Sequence, residues 1–330
     1  MAEQFGTADF YSKNLKKLGH QAEEFIINNE ILQKQWAKEH NIKYKKNYFQ
    51  KIPKLKWLVK SDWKEKILKA QIKDFEPDII YCQSLNAFNP NFLKKIKKYS
   101  KLLVGQIASS LPAKEYSPIY DLILTSFPHY VQRFRNSGIN SEYFKIGFEQ
   151  TILEKLSISQ KKYDTVFVGG ISDFHSAGTK LLEFLSEKNK LDIWGYGTEN
   201  LPTNSSIHKN HHGSAWGIEM YNILYNSKIV INRHIDTAEN NANNMRLYET
   251  TGVGTMLITD MKDNLGELFK IGEEIETYSN AEELSEKINY YLTHEDERKK
   301  IALAGQKRTL QNHTYKIRMQ ELVEILKKYL

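Results

Sequence analysis

The sequence lacks several features that mark common protein classes. Cys82 is the only cysteine in 330 residues, which excludes an internal disulfide and any zinc cluster built on cysteine. No run of about 18 apolar residues occurs, so we expect no transmembrane helix. The N-terminus has no basic segment followed by an apolar one, so no secretory signal is visible and we expect a cytoplasmic protein.

Familiar catalytic signatures are missing as well. The chain has no Walker loop, no Gly-x-Ser-x-Gly elbow, no metalloprotease helix and no Asp-x-Asp pair. His211 and His212 are adjacent, but neighbouring side chains point in different directions and no carboxylate lies close by in the sequence. We therefore predict no metal site.

Short apolar runs that alternate with amphipathic stretches indicate parallel α/β layers. The pattern restarts after a polar stretch at residues 149–162, and 330 residues are enough for two cores. We therefore predict an α/β fold with domains at residues 1–155 and 156–330. The predicted strands are 22–27, 78–81, 102–105, 122–125, 165–168, 191–194, 229–231 and 255–259. The predicted helices include one that ends near Gly19, those near 177–188, 281–293 and 295–309, and a terminal one from Tyr315.

The segment 243–260 carries the most informative pattern, in which a polar turn leads into a helical start, two glycines and a strand. This order puts Arg246 and Glu249 near a helix N-terminus, where backbone N–H groups bind anions. Arg246 can form an ion pair with a phosphate, and Glu249 can accept hydrogen bonds from two adjacent sugar hydroxyls. The alternative is a helix cap followed by a buried strand.

A second candidate is the turn after the predicted strand 165–168. Gly169 and Gly170 there allow a diphosphate to approach the backbone, and the next helix offers its N-terminal amides. His175 and Lys180 lie at the start of that helix and can reach a phosphate. The alternatives are a purely structural turn and, for His175, a surface polar role.

With 227–232 before it and 282–288 after it, the segment 243–260 resembles the nucleotide-sugar-binding half of GT-B glycosyltransferases. It is most similar to the CgeB-like branch of the group 1 glycosyl transferases, and the late stretch 301–318 fits the same family. The resemblance implies two Rossmann-like domains that face each other across a cleft. It also implies that the terminal helix crosses back onto the first domain, whose usual first strand is missing here.

The same resemblance implies a donor and an acceptor. The donor is a nucleotide diphosphate sugar, no cofactor or metal is needed, and the acceptor is a hydroxyl of a glycan, lipid-linked or protein molecule in cell-surface glycan or glycolipid synthesis. Tyr196 is suited to stacking on the nucleobase, although a tight turn with an exposed tyrosine is an alternative. The implied nucleotide-sugar site consists of Gly169, Gly170, His175, Lys180, Tyr196, Gly197, Asn243, Asn244, Arg246 and Glu249.

The resemblance leaves the catalytic groups open. Many relatives carry two glutamates eight positions apart, and Glu249 fits the second, but Asn241 stands at the first. His129 has a pKa range suited to proton transfer, and its alternative is a histidine at the start of a helix. His234 follows a strand end, where it can contact the donor sugar. A non-catalytic nucleotide- or carbohydrate-binding protein of the same fold is the second hypothesis.

Lysine is concentrated near the N-terminus. Between Lys43 and Asp74 the chain has eleven lysines against three acids, and the aromatic residues interleaved with them include Trp57 and Trp63. The pattern fits a solvated helical face, peripheral contact with an anionic membrane at the inner face, or nucleic acid. No RNP, KH or zinc-finger pattern supports nucleic acid.

Overall fold

The computed structural model describes residues 4, 6–44, 63–157, 161–171 and 176–330, so His175 and most of the lysine-rich segment lie outside the described residues. The chain forms two compact units. The first comprises Met1–His20, Ser126–His129 and Tyr143–Val323, and the second comprises Gln21–Thr125, Tyr130–Glu142 and Glu324–Leu330. The division into domains at 1–155 and 156–330 stays a prediction.

Helices and strands alternate along most of the chain. The helices are α1 (Phe10–Lys17), α2 (Glu30–Glu39), α3 (Trp63–Phe75), α4 (Pro90–Lys97), α5 (Pro128–Asn136), α6 (Ser176–Lys188), α7 (Gly217–Tyr225), α8 (Met245–Gly252), α9 (Leu265–Leu268), α10 (Ala281–Thr293), α11 (Glu295–Asn312) and α12 (Tyr315–Lys327). The strands are β1 (Ile79–Cys82), β2 (Leu102–Ile107), β3 (Leu122–Thr125), β4 (Ser141–Tyr143), β5 (Tyr163–Val168), β6 (Leu191–Trp194), β7 (Ser227–Asn232), β8 (Met256–Asp260) and β9 (Glu276–Tyr278). No helix among the described residues is long and apolar enough to span a membrane.

The second unit is built on a four-stranded sheet in the order β1-β2-β3-β4. β1 pairs with β2, and β2 with β3, both in parallel. All four residues of β3 are buried, which explains why these strands are apolar runs without alternation. The strands at 78–81, 102–105 and 122–125 were predicted from this pattern, and the structure confirms them.

The predicted strand at residues 22–27 is wrong. Residues 21–26 have no regular secondary structure, and α2 begins shortly afterwards with Asn29 as its N-cap, which accepts a hydrogen bond from the Leu32 N–H. The run is only partly buried, and the ring of Phe25 packs edge-on against Phe75 at 6.3 Å instead of lying in a paired strand. A short apolar run alone does not distinguish these two outcomes.

The first unit contains a five-stranded sheet in the order β6-β5-β7-β8-β9, and every pair in it is parallel. Its central strands are apolar, and residues such as Ile229, Ile231 and Ile258 are fully buried or nearly so. Because parallel strands end at the same edge, the loops after β5, β6 and β7 and the start of α8 lie together. The strands β4 and β9 were not predicted, since both are only three residues long.

A buried arginine lies near the start of α12. Arg318 is 1% exposed, and its guanidinium donates to the carbonyls of Ile146 and Asn312 and to Nδ1 of His313 at 2.7 Å. His313 therefore uses its other nitrogen, Nε2, as the donor to the Leu268 carbonyl at 2.9 Å. Burial and the nearby Arg318 charge lower the pKa of His313 to about 3, against the opposing effect of the Leu268 carbonyl.

We predict that His313 makes the fold sensitive to acid. Its pKa is lower in the folded chain than the usual 6.5, so below pH 6.5 the unfolded chain binds a proton that the folded chain does not. Stability should therefore fall as the pH drops from 6.5 towards about 3, by at most about 1.4 kcal/mol per pH unit from this group. Urea unfolding at several pH values should show a shallower slope in His313→Gln than in the wild type. The exposed control His20→Gln should follow the wild type, and equal slopes in all three proteins would contradict the assignment.

Candidate functional site

A pocket of about 300 Å³ lies at the carboxyl edge of the five-stranded sheet. Open α/β sheets bind ligands at this edge, so the position itself suggests a binding site. The pocket is lined by the loops after β5 and β6, the end of β7, the start of α8 and Gly6 of the N-terminal segment. The predicted site residues Gly169, Gly170, Tyr196, Asn244, Arg246 and Glu249 all line it.

Two glycines allow the loops after β5 and β6 to run side by side. A Cβ atom at Gly195 would lie 1.8 Å from the carbonyl oxygen of Gly169, and one at Gly197 would lie 1.7 Å from that of Ile171. Gly197 also has a φ of +95°, which favours glycine. The Ile171 N–H donates to the Tyr196 carbonyl at 2.8 Å. Gly197 therefore shapes the loop, and it is not among the residues that line the pocket.

An exposed aromatic pair forms one wall of the pocket. The rings of Tyr196 and Trp216 stack with a centroid distance of 5.6 Å and an angle of 19°, and the residues are 54% and 44% exposed. Gly170 lies against the Tyr196 ring, because a Cβ there would come within 2.7 Å of it. Large aromatic groups are usually buried, so an exposed stack at a pocket suggests a planar ligand.

The start of α8 places a polar cap and an ion pair at the pocket. Asn244 is the N-cap, and its side-chain oxygen accepts a hydrogen bond from the Leu247 N–H at 3.3 Å. One helical turn separates Arg246 from Glu249, and their Nη1 and Oε2 atoms are 2.8 Å apart. Arg246 also donates to the Val168 carbonyl at 3.0 Å, which ties α8 to the end of β5.

The ion pair is buried, which determines its electrostatics. Glu249 is 5% exposed, and burial raises the pKa of its carboxyl group, while the Arg246 charge and a hydrogen bond with Tyr221 oppose that rise. Removing Arg246 would leave a buried carboxylate without a counter-charge. Arg246 is thus the counter-charge that favours the ionised form of Glu249 against the effect of burial.

Arg233 lines the same pocket, and the sequence analysis did not single it out. Its side chain is 18% exposed and pairs with the exposed Asp236 at 2.8 Å. Gly178, in the first turn of α6, makes room for it, because a Cβ at that position would lie 2.9 Å from Nη1. The only signal in the sequence is a cationic residue directly after a strand of the α/β pattern.

Two other predicted binding residues lie away from this pocket. Asn243 is buried, and its side chain bonds with the Ser126 carbonyl and the hydroxyls of Tyr143 and Tyr248 at 2.9–3.3 Å. Lys180 is exposed and lines a separate cavity.

The two candidate catalytic histidines do not line the pocket either. Nδ1 of His129 lies 2.9 Å from the Asn241 amide nitrogen, and Nε2 lies 4.0 Å from Glu239. Nδ1 of His234 lies 2.7 Å from Asp260, whose carboxylate also accepts the His234 backbone N–H. Burial would raise the pKa of Asp260, but the bonds from His234 outweigh it and the pKa is lowered.

The adjacent histidines are engaged by protein groups. His211 bonds with the Gly195 carbonyl through Nε2, and His212 pairs with Asp192 at 2.7 Å and stacks on Trp194. Among the residues that the structure describes, no group of three His, Cys, Asp or Glu side chains is arranged to hold a metal ion.

Comparisons with known proteins agree with this geometry. Residues 178–324 match the family model described as "Glycosyl transferase-like". No curated protein matched the chain significantly. Similar solved structures include HepE of Anabaena in complex with UDP-glucose, which is 11% identical with a TM-score of 0.64 over 89% of this chain and 88% of that one. A glycosyltransferase from Rickettsia africae is 16% identical, with a TM-score of 0.60 over 97% and 93% of the two chains. Sucrose-phosphate synthase from Thermosynechococcus elongatus is 10% identical, with a TM-score of 0.58 over 81% and 77%.

The solved structures show the GT-B fold, and the segment 178–324 matches the glycosyl transferase-like family model. The predicted α/β fold class and the resemblance to GT-B glycosyltransferases are therefore confirmed. The CgeB-like branch stays a prediction. Arg246, Glu249 and most of the pocket lie within the matched segment, although Gly169 and Gly170 precede it.

We predict that the two members of the ion pair are energetically coupled. Arg246→Met should destabilise the fold by about 3–5 kcal/mol, because it leaves the buried Glu249 carboxylate unpaired. The double variant Arg246→Met/Glu249→Gln should lose less stability than the two single variants together. Urea unfolding of all four proteins measures this coupling.

The exposed pair of Glu295 and Lys299, 2.7 Å apart, provides a matched control. A double-mutant cycle on Glu295 and Lys299 should give a coupling free energy of less than about 1 kcal/mol. Additive losses at Arg246 and Glu249 would show that the pair is not a coupled buried unit.

Proposed function

We propose that this protein is a glycosyltransferase that moves a hexosyl group from a nucleotide diphosphate sugar to a hydroxyl acceptor. The observation that carries the proposal is the buried carboxylate of Glu249, which lines a pocket within the segment that matches the family. A carboxyl group paired with an arginine near the start of a helix suits the hydroxyls of a ribose. HepE, which shares the fold, was solved with UDP-glucose.

The pocket offers a surface for each part of a nucleotide. The exposed stack of Tyr196 and Trp216 is suited to the face of a base. Glu249 lies where it can accept hydrogen bonds from the ribose. Arg233 and the amides at the start of α8 are suited to the diphosphate, since a helix N-terminus favours anions.

The structure supports a modified role for Arg246. We predicted from the sequence that it binds the diphosphate directly, but its Nη1 and Nη2 atoms contact Glu249, Met220 and the Val168 carbonyl. We propose that Arg246 acts mainly by positioning Glu249, and that Arg233 supplies more of the charge opposite the diphosphate. Fixed amides and guanidinium groups stabilise a leaving diphosphate without a metal ion.

The catalytic groups are part of this proposal. Because Asp260 accepts from Nδ1 of His234, Nε2 of that ring carries the lone pair, as a general base requires. The Asn241 amide N–H donates to Nδ1 of His129. The neutral His129 ring therefore carries its proton on Nε2, which cannot accept a proton. We therefore favour His234 as the base and a binding role for His129.

The described part of the lysine-rich segment contributes to a basic surface on the second unit. Ammonium groups of Lys69, Lys73 and Lys98 lie 5.9, 5.5 and 5.3 Å from the centre of the Tyr99 ring. Trp63, which we expected at an interface, is buried against Ala37. We propose that the lysines around Tyr99 bind anionic lipid, as suits a peripheral cytoplasmic enzyme of cell-surface glycan or glycolipid synthesis.

The nucleotide site is tested by removing the Tyr196 ring from the aromatic stack. Tyr196→Ala should weaken UDP binding roughly 5- to 150-fold, since stacking on an aromatic ring contributes about 1–3 kcal/mol per base. Calorimetric titration measures this change. Tyr290→Ala is the matched control, because Tyr290 is 43% exposed and also stacked, on His294. Equal UDP affinity in Tyr196→Ala and the wild type would contradict the placement of the base.

Catalysis is tested separately by release of UDP from UDP-glucose and other donor sugars, with and without hydroxyl acceptors. Turnover that is lost in His234→Gln would support the proposed base. Nucleotide binding without turnover of any donor would instead indicate a non-catalytic nucleotide-binding protein of the same fold.

The basic surface predicts binding to vesicles. Sedimentation with phosphatidylglycerol vesicles should exceed that with phosphatidylcholine vesicles and fall with salt, because each surface lysine contributes about 1 kcal/mol near an anionic membrane. Replacing Lys69, Lys73 and Lys98 by Gln should reduce it at least roughly tenfold.

The matched control replaces three exposed lysines of the first unit, Lys188, Lys299 and Lys300, by Gln. This control variant loses three positive charges, as the Tyr99 variant does, but far from Tyr99 in the sequence. It should bind phosphatidylglycerol vesicles as the wild type does. Equal losses in both triple variants would show that net charge, and not this surface, determines binding.

A further inference from the structure

A second cavity lies next to the nucleotide pocket and is not part of it. It measures about 540 Å³ and is bordered by α6, the ends of β7, β8 and β9, and the start of α10. Arg233 and Leu181 line both cavities, so a ligand in the second one would lie directly beside the nucleotide. The proposed function assigns nothing to this space.

Three cationic side chains from three different elements line the second cavity. They are Lys180 on α6, Arg233 after β7 and Lys262 after β8. Lys180 is exposed and has no hydrogen bond or ion pair within the described part of the chain. Its charge is therefore available to a ligand.

The opposing negative charge is already engaged. Among the described residues that line the cavity, Asp260 is the only acidic one. Its carboxylate accepts from the backbone and ring of His234 and the hydroxyl of Thr259, and it lies 3.3 Å from Lys262. Asp236, which does not line the cavity, pairs with Arg233. Three cationic side chains therefore lie at the cavity against two carboxylates, those of Asp260 and Asp236.

The start of α10 adds a further favourable group. Ser279, Asn280 and Ala281 border the cavity where this 13-residue helix begins. Asn280 caps the helix by accepting the Glu283 N–H, and the Glu283 carboxylate accepts the Ser279 N–H at 2.8 Å. Glu283 is also paired with Lys287, so its charge is compensated locally. The positive end of the helix dipole therefore adds to the three cations.

We propose that this second cavity is a binding site for a phosphate group, distinct from the nucleotide pocket and able to be occupied together with it. Its size suits a small ligand, and Lys180 and Arg233 supply donors to a phosphate from two elements, beside the positive end of the α10 dipole. The group is either free inorganic phosphate or part of a phosphorylated sugar. The binding itself does not depend on the proposed transferase activity.

Titration of inorganic phosphate and of glucose 6-phosphate into the full chain, with and without saturating UDP, tests this proposal. One phosphate should bind per chain both without UDP and with saturating UDP, and its affinity should be lower with UDP because Arg233 lines both cavities. Tighter binding of glucose 6-phosphate would identify a phosphorylated sugar as the ligand, and equal or weaker binding would identify free phosphate. Loss of phosphate binding in the presence of UDP would overturn the proposal, because the anion would then occupy the nucleotide pocket.

Two variants distinguish the site from a general charge effect. Lys180→Ala should weaken phosphate binding roughly three- to tenfold, whereas Lys188→Ala, on the same helix and equally exposed, should not change it. Ala281→Glu places a carboxylate at the cavity, where it should weaken phosphate binding more than tenfold.

An acid in the first turn of a helix favours the fold, so Ala281→Glu should keep or raise the melting temperature and leave UDP affinity unchanged. Normal phosphate binding in Ala281→Glu, or no phosphate binding by the wild type at millimolar concentration, would overturn the proposal. If the wild type bound phosphate but not UDP, the result would contradict the proposed nucleotide site and leave the phosphate site supported.

Discussion

The buried ion pair between Arg246 and Glu249 is the interaction on which the proposed nucleotide pocket depends. A carboxylate that is 5% exposed stays ionised only with a close counter-charge, and Arg246 supplies it at 2.8 Å. The same guanidinium bonds to the Val168 carbonyl, so the pair also joins α8 to the end of β5. One interaction therefore supplies the counter-charge of Glu249 and ties the helix that carries it to the sheet.

The pocket also requires close approach of backbone segments, which glycine permits. The loops after β5 and β6 run so near each other that a side chain at Gly195 or Gly197 would collide with a carbonyl. Gly178 similarly gives Arg233 its position beside the first turn of α6. A side chain at any of these three glycines would therefore displace a neighbouring segment that borders the pocket.

The sequence predicted the parts that depend on local pattern. The buried strands of both sheets read as apolar runs, and the polar turn at 243–246 predicted the start of the helix that carries Glu249. The strand at 22–27 was wrong, since a short apolar run can also pack through an aromatic contact without strand pairing, as Phe25 does against Phe75. The pairing of Arg246 with Glu249 and the role of Arg233 were not predictable, because both depend on which side chains become buried together. Asn243 shows the same limit, as its amide bonds to Ser126, far away in sequence.

The central claim is that Glu249 recognises the ribose, and binding of UDP compared with its 2′,3′-dideoxy analogue tests it most directly. The wild type should prefer UDP by at least roughly tenfold, since hydrogen bonds to a charged group are worth about 1.5–3 kcal/mol. In Glu249→Gln this preference should fall to a few-fold at most, with thermal melts confirming that the variant is folded. An undiminished preference for UDP in Glu249→Gln, or no preference in the wild type, would contradict the account.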